Sequence, residues 1–313
     1  MKFDLSGYRH IKVRPVAGEI GAEIDGVDLS RPLSDAVFAE LHRGFLTHLV
    51  LQFHDQVLDA DSFAAFGSRF APLARSKYLK AVEGNPLVHR LTREADVPGS
   101  ARNVGDRWHG DLSPFERPTA GFGLYCLEAP DYGGDTMFSN LYTAYEALSD
   151  GMKTLCEDLI VIHSSSGVFG TGGQGGDGAQ KRMIHKGMEK GYDIAEDIFA
   201  NLNREMEHPL IRIHPETGRK VLYITGEYCI RLKDMTEAES RPLLDFFNRH
   251  VTRPEFTCRF RWRKGSVLLM DNRCTQHYAV NDYEGFRRDM LRIELDGERP
   301  FGPAMPRLPD AAD

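Results

Sequence analysis

Three residues in this chain have the types, and two of them the spacing, that a mononuclear metal centre needs. Trp108-His109-Gly110-Asp111 comes just before a strand-like run. In an extended segment, residues i and i+2 point to one face, so the His109 imidazole and the Asp111 carboxylate can share a metal. The third ligand must come from elsewhere. His277 follows the apolar run SVLLM, at the end of Asp271-Asn272-Arg273-Cys274-Thr275-Gln276-His277. Two imidazoles and one carboxylate on one face of a metal leave its other face open, which is the arrangement of non-haem iron(II) oxygenases. With 12 histidines and 46 acidic residues in the chain, an H-x-D also arises by chance, so the pattern needs support from elsewhere.

Support comes from FRRDMLRIEL, which carries Arg287, Arg288 and Arg292. On a strand, Arg288 and Arg292 share a face, and Leu291 and Ile293 take the other. A guanidinium at the end of a strand suits a bidentate pair with a carboxylate. Burying Arg292 beside an apolar pocket is costly without a partner, and a substrate anion would supply one. A small organic acid is therefore the expected substrate. The plainer alternatives are solvated strand charges, or a pairing of Arg292 with a protein carboxylate.

Two other motifs compete. Gly170-Thr171-Gly172-Gly173-Gln174-Gly175 matches G-x-G-x-x-G, the mark of a nucleotide-dependent oxidoreductase. A dinucleotide site needs a strand before it and an amphipathic helix opening at its end, and QGGDGAQKRMIHKG is a poor buried helix. Phe53-His54-Asp55 invites a hydrolase reading, but adjacent residues on a strand point to opposite faces.

The elements that must position these residues are mostly short strands. IKVRPVAGEIGAEIDGVDLS alternates apolar and polar residues between glycine turns. Ser34 is placed to cap a helix through DAVFAELHRGFLTH, and Asp61 to cap another through SFAAFGSRF. A less regular segment runs from about Pro72 to Asp106. One helix is expected over LYTAYEALSDGMKTLCEDL and one from Thr236 through AESRPLLDFFNRHV. LIRIHPETGRKVLYI reads as a hairpin around Thr217-Gly218, and FTCRFRW, SVLLM and MLRIEL as strands. Strands and helices do not alternate regularly, which argues against a doubly wound parallel sheet. The expected fold is α+β and mainly β: a double-stranded β-helix (jelly-roll) barrel with helices packed on one sheet and long loop insertions. Residues 1–313 read as a single domain, with a lid-like Gly-rich insertion at about 167–207 and a poorly ordered tail at about 300–313.

Composition narrows the class. A formal net charge of −7 argues against nucleic acid as a partner. Cys126, Cys156, Cys229, Cys258 and Cys274 are scattered and form no disulfide or zinc pattern. No apolar run approaches the roughly 18 residues of a membrane span, and MKFDLSGYRHIKV lacks a signal segment. A cytoplasmic protein with no membrane partner is expected.

The segments WHGD, GGDTMFSNLYTAYEALS, HPLIRIHPETGRKVLYI and MDNRCTQHYAVNDYEGFRRDMLR together resemble the iron(II)/2-oxoglutarate-dependent dioxygenases of the taurine dioxygenase and 2,4-dichlorophenoxyacetate dioxygenase (TauD/TfdA) family. The resemblance runs from about Val13 to Ile293. It implies that His109, Asp111 and His277 hold Fe(II), that Thr136 and Arg288 bind the distal carboxylate of 2-oxoglutarate, and that Arg292 holds the substrate anion. It implies O2 as the second cosubstrate, succinate and CO2 as products, and a sulfonate, sulfate ester or aryloxyalkanoate-like acid as substrate. FTCRFRW and YITGEYCIRLKDMTEAES lean toward the members that cleave aryloxyalkanoate ethers. Three departures stand out: Gly110 between the ligands, Met270 before Asp271-Asn272-Arg273, and no histidine in Ala74-Arg75-Ser76-Lys77-Tyr78, where taurine-specific members offer one to the sulfonate. A homo-oligomer is the expected assembly. The rival from another class is a non-catalytic metal-binding jelly-roll module, which would have no need of Thr136 and Arg288 beside the triad.

Overall fold

The computed structural model describes residues 3–77, 79–97, 105–166, 204–226 and 228–307. The Gly170–Gly175 motif, and the expected lid up to residue 203, lie outside the described residues.

The protein is mainly β. Its largest sheet has nine strands, in the order β1 (Lys12–Pro15), β2 (Ala22–Asp25), β3 (Val50–Phe53), β15 (Val267–Asp271), β7 (Gly121–Glu128), β17 (Arg288–Leu295), β6 (Asn85–Arg93) and β5 (Ala81–Val82), with β4 (Leu73–Ala74) also paired to β17. All pairings are antiparallel except β2 with β3. A second sheet has the order β14 (Thr257–Phe260), β8 (Thr136–Asn140) and β16 (Thr275–Ala279). A third joins β10 (Glu205–Pro209), β9 (Ile160–Ser164) and β13 (Cys229–Leu232). The expected hairpin around Thr217-Gly218 is β11 (Ile211–Ile213) with β12 (Lys220–Leu222).

Every residue of β15 and β17 is buried, as strands covered on both faces require. On one face, Phe122, Leu124, Met270 and Met290 pack with Phe138, Cys258 and Phe260 of the second sheet. On the other, Phe53, Leu269 and Ile293 pack with Leu41, Phe45 and Phe63, which belong to helices α1 (Asp35–His48) and α2 (Ala60–Ser68).

Local capping chemistry sets where the helices begin. Ser34 caps α1 as expected, its side chain accepting from Val37 N. Asp59, not Asp61, caps α2, because it forms a reciprocal capping box with Ser62. The expected single helix after residue 140 is two, α3 (Leu141–Glu146) and α4 (Asp150–Glu157). Ser149 is extended, and its hydroxyl accepts from Met152 N, which starts a new helix in place of continuing the old one. Thr236 and Glu239 form the capping box of α5 (Glu237–Val251). The segment read as irregular from Pro72 contains the two-residue strands β4 and β5 and the nine-residue β6. The expected loose tail is held as far as its described residues run: Ile213 N donates to Phe301 O at 2.8 Å, and Gly302 bridges Met305. No helix among the described residues is long and apolar enough to cross a membrane.

Candidate metal centre

His109 and His277 meet through the backbone. His109 N donates to His277 O at 3.0 Å, and His277 N donates to His109 O at 2.9 Å. Such a reciprocal antiparallel pair puts both side chains on the same face, and the two rings lie 4.0 Å apart. Asp111, two residues on, joins them: one donor atom from each of the three lies within 4.8 Å of the others. The close approach of this segment depends on Gly226, which bridges His109 at φ +65°. A Cβ there would sit 1.8 Å from Trp108 O. Asn272, which sequence reasoning did not single out, clamps the carboxylate-bearing residue: its Oδ1 accepts from Asp111 N (2.8 Å), and its Nδ2 donates to Asp111 O and Thr119 O (2.9 Å each). Its only signal in the sequence was its place in Asp271-Asn272-Arg273. At Gly110 a Cβ would lie 3.0 Å from Thr225 Cγ2, so a larger residue there needs a rearranged neighbour.

The donor set suits a divalent transition metal. His109 Nδ1 lies 2.7 Å from Arg107 O. It must donate its proton there, which leaves the Nε2 lone pair facing Asp111 Oδ1 at 3.5 Å. Burial, with His109 adding to it, pushes the His277 imidazole well below its usual range, so it is neutral and can offer a lone pair. Burial alone would raise the Asp111 carboxyl, but the Arg292 guanidinium beside it outweighs burial and holds the carboxylate ionised.

A second cluster, His214, Asp271 and Cys274, is fully buried and also close enough to ligate. Its hydrogen bonds argue against a metal. His214 Nδ1 accepts from Glu216 N and Thr217 N, so Nε2 carries the proton it donates to Asp271 at 3.0 Å. Arg273 takes both oxygens of Asp271.

The three arginines of the sequence reading separate sharply. Arg287 is committed to Glu94, Glu128 and Asp289. Arg292 donates from Nη2 to Asp111 Oδ2 (2.6 Å) and from Nε to Glu294 Oε1 (3.1 Å). Its burial is therefore met by protein carboxylates and does not by itself demand a substrate anion, which corrects the argument made from sequence. Arg288 is 8% exposed, its Nε is buried and unpaired, and it makes no ion pair with a carboxylate among the described residues. Thr136 and Arg288 line the same cavity as His109, Asp111, His277 and Arg292. Strand register explains Thr136. It lies opposite Ala279, and Phe138 lies opposite His277, so all four share one face. Leu79, Leu91, Leu112, Phe122 and Leu124 supply apolar walls.

Residues 12–293 match the family described as taurine catabolism dioxygenase TauD, TfdA family. An alkylsulfatase of Acinetobacter baylyi is 33% identical over 295 residues, 94% of this chain and 87% of that protein. An alpha-ketoglutarate-dependent sulfate ester dioxygenase of Pseudomonas putida is 32% identical, over 93% of this chain and 91% of that protein. An alpha-ketoglutarate-dependent 2,4-dichlorophenoxyacetate dioxygenase of Burkholderia sp. is 28% identical, over 88% and 91%. These identities run against the lean toward aryloxyalkanoate members. The crystal structure of a taurine dioxygenase from Burkholderia xenovorans superposes with a TM-score of 0.76 at 32% identity, covering 95% of this chain and 94% of that one. Dioxygenases of this kind favour neither a non-catalytic binding module nor a nucleotide-dependent oxidoreductase. This chain belongs to the TauD/TfdA family of iron(II)- and 2-oxoglutarate-dependent dioxygenases.

Proposed function

We propose that the protein hydroxylates a small organic acid, with a sulfate ester first among the candidates, then a sulfonate, then an aryloxyalkanoate. In this reading the two facing sheets form a double-stranded β-helix. His109, Asp111 and His277 hold iron(II), and Thr136 and Arg288 take the distal carboxylate of 2-oxoglutarate. The observation that carries the reading is Arg288, a buried guanidinium with no carboxylate partner among the described residues, in the same cavity as two imidazoles and a carboxylate. Buried charges are paired, and the missing partner here is an anion. When bound, iron and 2-oxoglutarate supply the oxidative chemistry, in which decarboxylation to succinate and CO2 is coupled to substrate hydroxylation. The protein's part is orientation and exclusion of water. Arg292 fixes Asp111 through Nη2 and leaves Nη1 without an acceptor among the described residues, so it can still offer one hydrogen bond to a substrate anion. The apolar walls keep water from the reacting carbon. Hydroxylation at the carbon bearing a sulfate oxygen gives a product that collapses to an aldehyde and sulfate.

The test loads apoprotein anaerobically with iron(II) and 2-oxoglutarate, then admits O2 with alkyl sulfates, alkyl sulfonates or aryloxy acids. Substrate-dependent succinate with alkyl sulfates is expected. Turnover confined to neutral alcohols or esters would overturn the organic-acid reading.

A further inference from the structure

Trp262 lies two residues beyond the end of β14 and is 2% exposed. Its indole Nε1 is 2.9 Å from Thr136 Oγ1. An indole N–H can only donate, so the direction of this bond is fixed: Trp262 donates and Thr136 accepts. The hydroxyl makes no other hydrogen bond with a described residue. Its own proton is therefore left to donate to an acceptor in the cavity. The same indole lies beneath the unpaired guanidinium, with Arg288 Cζ 5.4 Å from the ring centre, within the range of a cation–π contact. The segment is anchored from the large sheet, where Gln52 Nε2 donates to Arg261 O at 3.0 Å.

We propose that Trp262 is a positioning residue for the cosubstrate. Its N–H turns Thr136 into a hydrogen-bond donor toward a carboxylate, and its face holds Arg288 in line for the same carboxylate. This rests on the assignment of Thr136 and Arg288 to 2-oxoglutarate. A purely structural tryptophan would fill volume, and its loss would act independently of the Thr136 hydroxyl.

The test is calorimetric titration of 2-oxoglutarate into the anaerobic iron(II) protein, with iron(II) affinity measured separately as a check on the metal centre. Trp262→Phe keeps a ring under Arg288 and removes the N–H; it should weaken 2-oxoglutarate about two- to tenfold, the range of one hydrogen bond, and leave iron(II) affinity unchanged. Thr136→Val should lose a similar factor, and Thr136→Ser should restore it. The double variant Trp262→Phe/Thr136→Val should bind no worse than Thr136→Val alone, because the N–H acts through the hydroxyl. Trp262→Leu, which also removes the ring, should bind more weakly than Trp262→Phe. The chain has two tryptophans, so indole-15N-labelled protein loaded with zinc(II) offers a second readout that needs no substitution at Trp262. The Trp262 resonance should move on adding 2-oxoglutarate to wild type and move less in saturated Thr136→Val, where only the Arg288 contact remains. Multiplied losses in the double variant, or wild-type affinity in Trp262→Phe, would overturn this role while Arg288→Ala still weakened 2-oxoglutarate. Normal affinity in Arg288→Ala would overturn the cosubstrate assignment itself, and this proposal with it.

Discussion

At the scale of residues, the site is a set of charges that must be matched. Removing one of the three proposed ligand atoms leaves a pair that cannot close a facial set, so His277→Ala should abolish detectable iron(II) binding by anaerobic titration. The circular dichroism of the variant should stay that of wild type. Arg292 makes a sharper prediction. Its Nη2 holds Asp111 Oδ2, so that Oδ1 faces both imidazoles. A group orienting a ligand in this way is typically worth about 10–100-fold in metal affinity. Arg292→Leu should therefore weaken iron(II) as well as substrate, and an unchanged iron(II) affinity would confine Arg292 to the substrate side.

At the scale of elements, the segment carrying His109 is held where it is by a neighbour with no side chain. Gly226→Ala puts a Cβ into Trp108 O at a backbone conformation that L-residues avoid. The strain and the clash together should cost on the order of 1–3 kcal/mol of stability and lower iron(II) affinity, because His109 must shift. Gly218 provides the control. Its φ is +66°, but a Cβ there meets nothing within 4 Å. Gly218→Ala should lower the thermal midpoint and leave iron(II) binding intact. If both variants bound iron(II) equally, the close approach at Gly226 would have no bearing on the site.

At the scale of the whole molecule, the protein carries buried imidazoles that the fold keeps neutral. Burial lowers His48, His89 and His208 to about 4 each, from 6.5. Between those values the unfolded chain takes up protons that the folded chain refuses, so stability falls as pH drops. The contribution is fully present above pH 6.5 and lost by about pH 4, at on the order of 3 kcal/mol for each imidazole. Urea unfolding midpoints measured from pH 7 to pH 4 should fall steadily through that window. A flat profile would mean that these imidazoles find partners when protonated.

What the sequence determined by itself was local. The H-x-D spacing, the shared parity of Arg288 and Arg292, the Ser34 cap and the helix start at Thr236 all depend on backbone geometry within a few residues, and each stands where its spacing placed it. Non-local decisions needed the tertiary structure. The reciprocal backbone pair joins His109 to His277 from segments far apart in the chain. The register of β8 between β14 and β16 turns Thr136, which only the family resemblance had singled out, toward the same face as His277. The sequence reading made a substrate anion the partner Arg292 needs because parity reveals a face but not what stands opposite it; the fold supplies Asp111 and Glu294 as partners already. Arg288, with the same parity, found no carboxylate among the described residues. Which of two like arginines is left open to a ligand depends on side chains brought in from other strands and loops, and spacing along one strand carries no information about them.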